Sequence, residues 1–270
     1  MTPESSRTPV LLIGAGRMGG ALILGWAKSA AFDLNDLMVR TPHINESCAD
    51  AARAGAAINP DDEAIGAART VVLCVKPQKW REVAPLYEPL LHPDAVIVSV
   101  LIGAQAADLS QGFGGRKVAR VLPTTAVASA SGVTSLYAPD PVANAAARAL
   151  FEPISTVVAL EHEPLMDAAG AVSASGAAYV YEFARALEAA GLAAGLPAEA
   201  ARVLARSTVA SAAAFMAESG ANPEDLIGQV ASPGGTTRAA LAVLEPRLTP
   251  LMTEAVAAAV RRAEELAAQS

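Results

Sequence analysis

The sequence predicts an α/β fold: a Rossmann-type, mostly parallel doubly wound sheet over residues 1–160, followed by an all-helical domain over 161–270. Three observations predict it. Between Val10 and Gly25 an apolar run, a glycine-rich turn and an Ala/Leu/Ile-rich helical pattern follow one another. Apolar β-branched runs then recur, as expected of strands covered on both faces. Past about Glu161 no strand-like run returns, and the pattern becomes long, Ala-rich and helical.

The first element carries the most information. Val10 to Ile13 leads into Gly14-Ala15-Gly16-Arg17-Met18-Gly19, the strand–turn–helix order of the dinucleotide fingerprint. Gly14 permits the tight turn, Gly16 lets the backbone approach a pyrophosphate, and Gly19 lets the helix pack close to the sheet. Free N–H groups and the dipole at the helix start attract the anion.

Asp36 to Arg40 reads as the second strand. Its end, Val39-Arg40-Thr41-Pro42-His43, offers an arginine and a hydroxyl but no carboxylate. Arginine and small hydroxyls suit a ribose 2′-phosphate, whereas an acid suits the 2′-hydroxyl, so NADP(H) is the expected cofactor and NAD(H) the second candidate. Ala56 to Asn59 could be a short third strand. Thr70 to Val75 and Ala95 to Val100 are parallel-strand runs. The first ends at Lys76-Pro77-Gln78, which should face the cofactor cleft, since ligands bind beyond the carboxyl ends of such strands. Lys117 to Leu122, Val133 to Tyr137 and Ile154 to Leu160 complete the sheet. Asp61, Asp62 and Glu63 look like an acidic helix start.

The bulk numbers exclude several classes. A chain of 270 residues, 53% hydrophobic and 17% charged, can bury a large core. A net charge of −7 argues against a nucleic-acid or anionic-membrane surface. Cys48 and Cys74 fit reduced core thiols, and no metal-ligand spacing is present. The opening MTPESSRTP has no signal pattern and no run is long enough to span a bilayer, which predicts a cytoplasmic location.

In the second half, helices are expected over Ala174–Ala190 and Pro197–Glu218, with two more after Ser232-Pro233-Gly234-Gly235-Thr236-Thr237. Helices this apolar all round need more cover than about a hundred residues provide, which predicts a subunit interface. The lysines are Lys28, Lys76, Lys79 and Lys117, so the helical half has none, and its only histidine is His162. Oxidising an alcohol needs a positioned base. Reducing a C=N bond does not, because solvent can protonate an imine of near-neutral pKa. The sequence leans towards that chemistry. The Ser232–Thr237 stretch, with exposed amides and hydroxyls before a helix, is the candidate grip for a small substrate carboxylate.

Taken together the chain resembles the pyrroline-5-carboxylate reductase family. The matching pieces are IGAGRMGGALILGW at 13–26, VKPQ at 75–78, DAAGAVSASGAAY at 167–179, GL-P at 195–197 and VASPGGTT at 230–237. The resemblance implies NADPH-dependent reduction of 1-pyrroline-5-carboxylate to L-proline, the last step of proline biosynthesis. It implies cofactor contacts from Gly14, Ala15, Gly16, Arg17, Met18, Arg40, Val75, Lys76, Pro77 and Val100. It also implies substrate contacts from Glu163, Gln229, Val230, Ser232, Gly234, Gly235, Thr236 and Thr237, with Thr237 the hydroxyl nearest the substrate nitrogen. A helical domain forming a homodimer, often assembled into a decamer, is implied too. Two departures stand out: Leu122-Pro123-Thr124-Thr125-Ala126 replaces the family's Met-Pro-Asn-Thr-Pro, and Ala174 and Ala177 replace residues of its Ser-Gly-Ser-Gly-Pro helix start. They leave two other readings open: a reductase of another cyclic imine or ketone, and a non-catalytic NADP-binding module.

Overall fold

The computed structural model describes residues 9–267. The first eight residues, where the sequence shows no signal pattern, lie outside the described residues, as does Ala268. Eight strands form one sheet: β1 (Val10–Ile13), β2 (Leu37–Arg40), β3 (Ala57–Ile58), β4 (Thr70–Leu73), β5 (Val96–Ser99), β6 (Val118–Pro123), β7 (Gly132–Tyr137) and β8 (Ser155–Ala159). Between them run α1 (Arg17–Ser29), α2 (Glu46–Arg53), α3 (Asp62–Ile65), α4 (Trp80–Tyr87), α5 (Ala106–Gly112) and α6 (Pro141–Phe151). Each strand predicted from the sequence is present, within a residue or two at its ends.

The strand order is β3-β2-β1-β4-β5-β6-β7-β8. Every neighbouring pair is parallel except β6 and β7. The connection from β6 to β7 is short, which suits an antiparallel pair; the parallel pairs need helical crossovers. The order reverses between β1 and β4. In a doubly wound sheet that reversal opens the crevice in which ligands bind.

The period-2 alternation of the strands divides the core. Val10, Leu12, Val39, Val72, Val98 and Val121 face one side, against Leu22, Ile23 and Trp26 of α1 and Ala143, Ala147 and Phe151 of α6. Leu11, Ile13, Met38, Val71, Leu73 and Ile97 face the other, against Ile65 of α3, Trp80 and Ala84 of α4 and Leu109 of α5. Trp26 satisfies its indole by donating to the Leu150 carbonyl at 2.9 Å, which ties α1 to α6. Both cysteines are buried among these clusters.

The remaining helices are α7 (Leu165–Val172), α8 (Gly176–Ala193), α9 (Ala198–Ser219), α10 (Pro223–Val230) and α11 (Thr236–Ala267). By compactness the chain makes two units. The first reaches Ala174 and includes the end of α11 from Ala259; the second spans Ser175–Ala258. One expectation needs correcting. Two helices were predicted after Thr237, but α11 is continuous through Pro246 and Pro250, and α10 precedes the Ser232 loop. A helix-interior proline frees the carbonyl four residues back. Here those are the carbonyls of Ala242 and Pro246, and both residues are exposed, so water can satisfy what the prolines leave unpaired.

Candidate active site

β1 delivers the chain into the turn at Gly14, whose φ of 96° lies in the left-handed region. A Cβ there would lie 2.4 Å from the Cys74 carbonyl oxygen, and one at Gly19 would lie 2.2 Å from the Gly14 carbonyl oxygen. Both positions are sterically closed to other residues. A Cβ at Gly16, by contrast, would meet nothing within 4 Å. Gly16 is the N-cap of α1 and offers no side-chain cap, so the first amides of the helix are left for an anion. That combination fits a pyrophosphate: the outer glycines close the turn, and the middle one faces open space.

The turn is pinned by its neighbours. Gly14 N–H donates to the Arg40 carbonyl at 2.8 Å, and Cys74 N–H donates to the Ile13 carbonyl at 2.8 Å. Asn45, the N-cap of α2, donates from Nδ2 to the Ala15 carbonyl at 2.7 Å. The loop is therefore held in place by β2, α2 and the end of β4. Arg40, the last residue of β2, has a buried Nε with no partner among the described residues, while its side chain as a whole is 25% exposed. A guanidinium held at a strand end suits an anion.

Beyond the carboxyl ends of β1, β4, β5 and β6 lies a cleft of about 430 Å³. Gly16, Arg17 and Met18 line one side; Val75, Lys76, Pro77 and Val100 line the middle. Seven of the residues predicted to hold the cofactor thus share one cavity, with Gly14, Ala15 and Arg40 in its supporting turn and strand end. Leu122, Pro123, Thr124 and Ala174 also line it, including three of the positions at which the chain departs from the family pattern. Thr124 is locked into the sheet: its hydroxyl accepts from Val133 N–H at 3.1 Å, and its own N–H donates to the Val133 carbonyl at 2.9 Å. Among the described residues no histidine or carboxylate lines this cleft, and burial pushes the Cys74 thiol up to about 12. Its walls offer positioning and apolar shelter.

Glu163 belongs to the same unit, but its side chain is occupied. Its Oε1 accepts from Ala106 N–H at 2.7 Å and from Arg120 Nη1 at 2.8 Å. Arg120 is the one charged residue of β6 and only 5% exposed. It is a structural partner that the sequence reading missed, though an arginine inside an apolar strand is itself a signal. Neighbouring His162 is exposed, and its carbonyl accepts from Leu165 N–H at the start of α7, a capping role.

The second unit holds the other predicted substrate residues. Gln229 and Val230 end α10, and Val230 is 67% exposed. Ser232 to Gly235 form a turn in which Gly235 N–H donates to the Ser232 carbonyl at 3.0 Å and Gly234 adopts a φ of 73°. A Cβ at Gly235 would lie 2.6 Å from Ser232 Oγ and 3.1 Å from the Ser232 carbonyl oxygen, so a side chain there would crowd the turn. Thr236 and Thr237 open α11, which places their amides at a helix start.

A reversed strand order with a glycine turn at the reversal, and an arginine at the end of β2, mark the class: a nicotinamide-dinucleotide oxidoreductase. Residues 163–266 match the family model described as pyrroline-5-carboxylate reductase dimerisation, and residues 9–103 match one described as NADP oxidoreductase, coenzyme F420-dependent. The chain is 34% identical to the pyrroline-5-carboxylate reductase of Pisum sativum over 94% of each chain. It is 36% identical to that of Glycine max over 94% of each. Among solved structures, the Coxiella burnetii pyrroline-5-carboxylate reductase superposes with a TM-score of 0.89 at 28% identity, covering 97% of this chain and 99% of that one. The Plasmodium falciparum enzyme with NADP bound shares the fold, with a TM-score of 0.82 at 23% identity over 96% of this chain and 98% of that one. The chain belongs to the pyrroline-5-carboxylate reductase family.

Proposed function

We propose that this protein reduces the C=N bond of 1-pyrroline-5-carboxylate to L-proline with NADPH, the last step of proline biosynthesis. The observation that carries the reading is likeness along the whole chain: 34–36% identity over 94% of it to reductases of that name. The chemistry of the cleft agrees with it. Bound NADPH supplies a hydride. Everything else asked of the protein is orientation, exclusion of water and a few hydrogen bonds, because the ring nitrogen is protonated by solvent before transfer.

In this reading Gly14, Ala15, Gly16, Arg17 and Met18 bind the pyrophosphate through backbone amides, and Arg40 binds the 2′-phosphate. Val75, Lys76, Pro77 and Val100 shape the nicotinamide end. Ser232, Gly234, Gly235 and Thr236 hold the substrate carboxylate, with Gln229 and Val230 beside them. The Thr237 hydroxyl bonds the substrate nitrogen, and Glu163 supports the site through Arg120 and Ala106. The domains are 1–160 for NADP binding and 161–270 for substrate binding and dimerisation. The dimerisation match supports a homodimer through the helical part; further assembly into a decamer is what the family resemblance implies, and a cytoplasmic location fits the sequence. Among the described residues no helix is long and apolar enough to cross a membrane.

The test is NADPH oxidation at 340 nm with racemic 1-pyrroline-5-carboxylate, run beside one larger cyclic imine. Turnover confined to the five-membered ring supports the reading; turnover only with the larger imine transfers the activity to a sister substrate. Thr237→Ala is expected to lower kcat by about tenfold, the worth of one well-placed hydrogen bond, while the dissociation constant of NADPH stays within about twofold.

A further inference from the structure

The end of β2 carries no acid in sequence, yet the fold brings one to it. β3 pairs with β2 for only two residues, Met38 with Ala57 and Val39 with Ile58. The chain then reverses at Asn59, whose φ of 51° is left-handed; its N–H donates to the Val39 carbonyl at 2.7 Å and its Oδ1 accepts from Thr41 N–H at 2.9 Å. That stapled reversal sends Asp61 and Asp62 back over the strand end. Asp61 is spent as the N-cap of α3, accepting from Ala64 N–H at 2.9 Å. Asp62 is not: its Oδ1 accepts from Arg40 Nη2 at 2.5 Å.

We infer that Asp62 is the residue that sets the choice between NADPH and NADH. The inference rests on the reading that this cleft binds a nicotinamide dinucleotide. A carboxylate at the ribose accepts from a 2′-hydroxyl and repels a 2′-phosphate, while a guanidinium does the reverse. Arg40 and Asp62 place both groups at one spot, bonded to each other. With a free 2′-hydroxyl, Asp62 keeps Arg40 and accepts from the ribose. With a 2′-phosphate, Arg40 takes the phosphate and Asp62 must swing away. That swing is easy, because the Asp62 side chain is 66% exposed and an ion pair so open to water is weak. Arg40, 25% exposed and held by the strand, stays in place. The chain is therefore a dual-cofactor protein whose preference for NADPH is restrained by one carboxylate.

The experiment is calorimetric titration of the full-length protein and of Asp62→Asn with adenosine 2′,5′-bisphosphate and with 5′-AMP, followed by NADPH and NADH. Asp62→Asn is expected to tighten the bisphosphate by about fivefold and to weaken 5′-AMP and NADH by a similar factor, the scale of one exposed charge interaction. Asp62→Ser repeats the measurement should the amide disturb the start of α3. Weaker binding of the bisphosphate in both variants would show that Asp62 orients Arg40 for the phosphate and would overturn the inference. Equal shifts for both nucleotides, or none, would also overturn it. Tight binding of both dinucleotides without imine turnover would sink the proposed reaction and leave this inference standing. Failure of the unaltered protein to bind any of the four would remove both.

Discussion

The two units of the chain bury their apolar residues in opposite ways. In the first, the inner faces of the sheet are closed by helices on both sides, and Trp26, Trp80, Phe113 and Phe151 are almost wholly inside. In the second, Ala201 and Ala205 are the buried residues, while Val180, Tyr181, Phe183, Leu204 and Phe215 stand exposed along α8 and α9. The sequence hydrophobicity of the two parts is similar. What differs is the supply of partners: a sheet sandwiched by helices has two faces to offer, whereas a few Ala-rich helices have little interior of their own. An apolar surface of this extent on one chain marks an association face. The comparison therefore teaches that the first unit is folded by its own core and the second by company.

Three measurements test this contrast between the units. The largest effect is expected from Leu204→Glu, which puts a charge on the exposed face of α9. Burying it should cost ~3 kcal/mol and raise the dimer dissociation constant by about two orders of magnitude. Leu24→Glu, on an exposed position of α1, should leave the sedimentation coefficient unchanged. An unaltered protein that sediments as a monomer would end the comparison.

The next effect lies in the first unit. Glu163→Ala leaves the buried Arg120 guanidinium without its acceptor and Ala106 N–H without its partner. Loss of one member of such a pair costs about 3 kcal/mol, readable as a shift in the urea midpoint. Glu163→Gln keeps an acceptor oxygen and should cost about 1 kcal/mol. A raised KM with an unshifted midpoint would instead make Glu163 a direct substrate contact.

The smallest effect concerns Cys74. Burial holds its folded thiol up to about 12 against an ordinary value of 9.0. Above pH 9 the unfolded chain gives up this proton and the folded chain keeps it, so the native state binds more protons and stability falls as pH rises. The contribution is complete below about pH 9 and is lost progressively towards pH 12. Near pH 10 the loss is about 1 kcal/mol, and it should vanish in Cys74→Ala when unfolding free energy is followed against pH. Native protein should also resist thiol reagents at pH 8.

Much of the site could be read before any fold was known. The glycine turn is a local code: the φ of 96° at Gly14 favours glycine whatever surrounds it, and a Cβ at Gly19 collides with the carbonyl of Gly14 in the same turn. The apolar runs located the central strands because burial on both faces leaves no polar alternation, and the shorter runs at the edges located β3 and β8, which are largely exposed. Proline misled the reading at α11, where exposure of the freed carbonyls lets the helix run on through Pro246 and Pro250.

The doubly wound sheet, the dinucleotide turn, the arginine at the end of β2, and a helical half with no lysine and a single histidine were all legible in the chain. These follow from local sterics, hydrophobic period and composition, which need no knowledge of where distant residues meet. Only the tertiary structure decided that Asp62 closes on Arg40 from 22 residues away, and that Glu163 is claimed by Arg120 from 43 residues away. A side-chain pair of that kind depends on the angle at which one loop returns over one strand, here the left-handed reversal at Asn59. No periodicity in the chain encodes that angle.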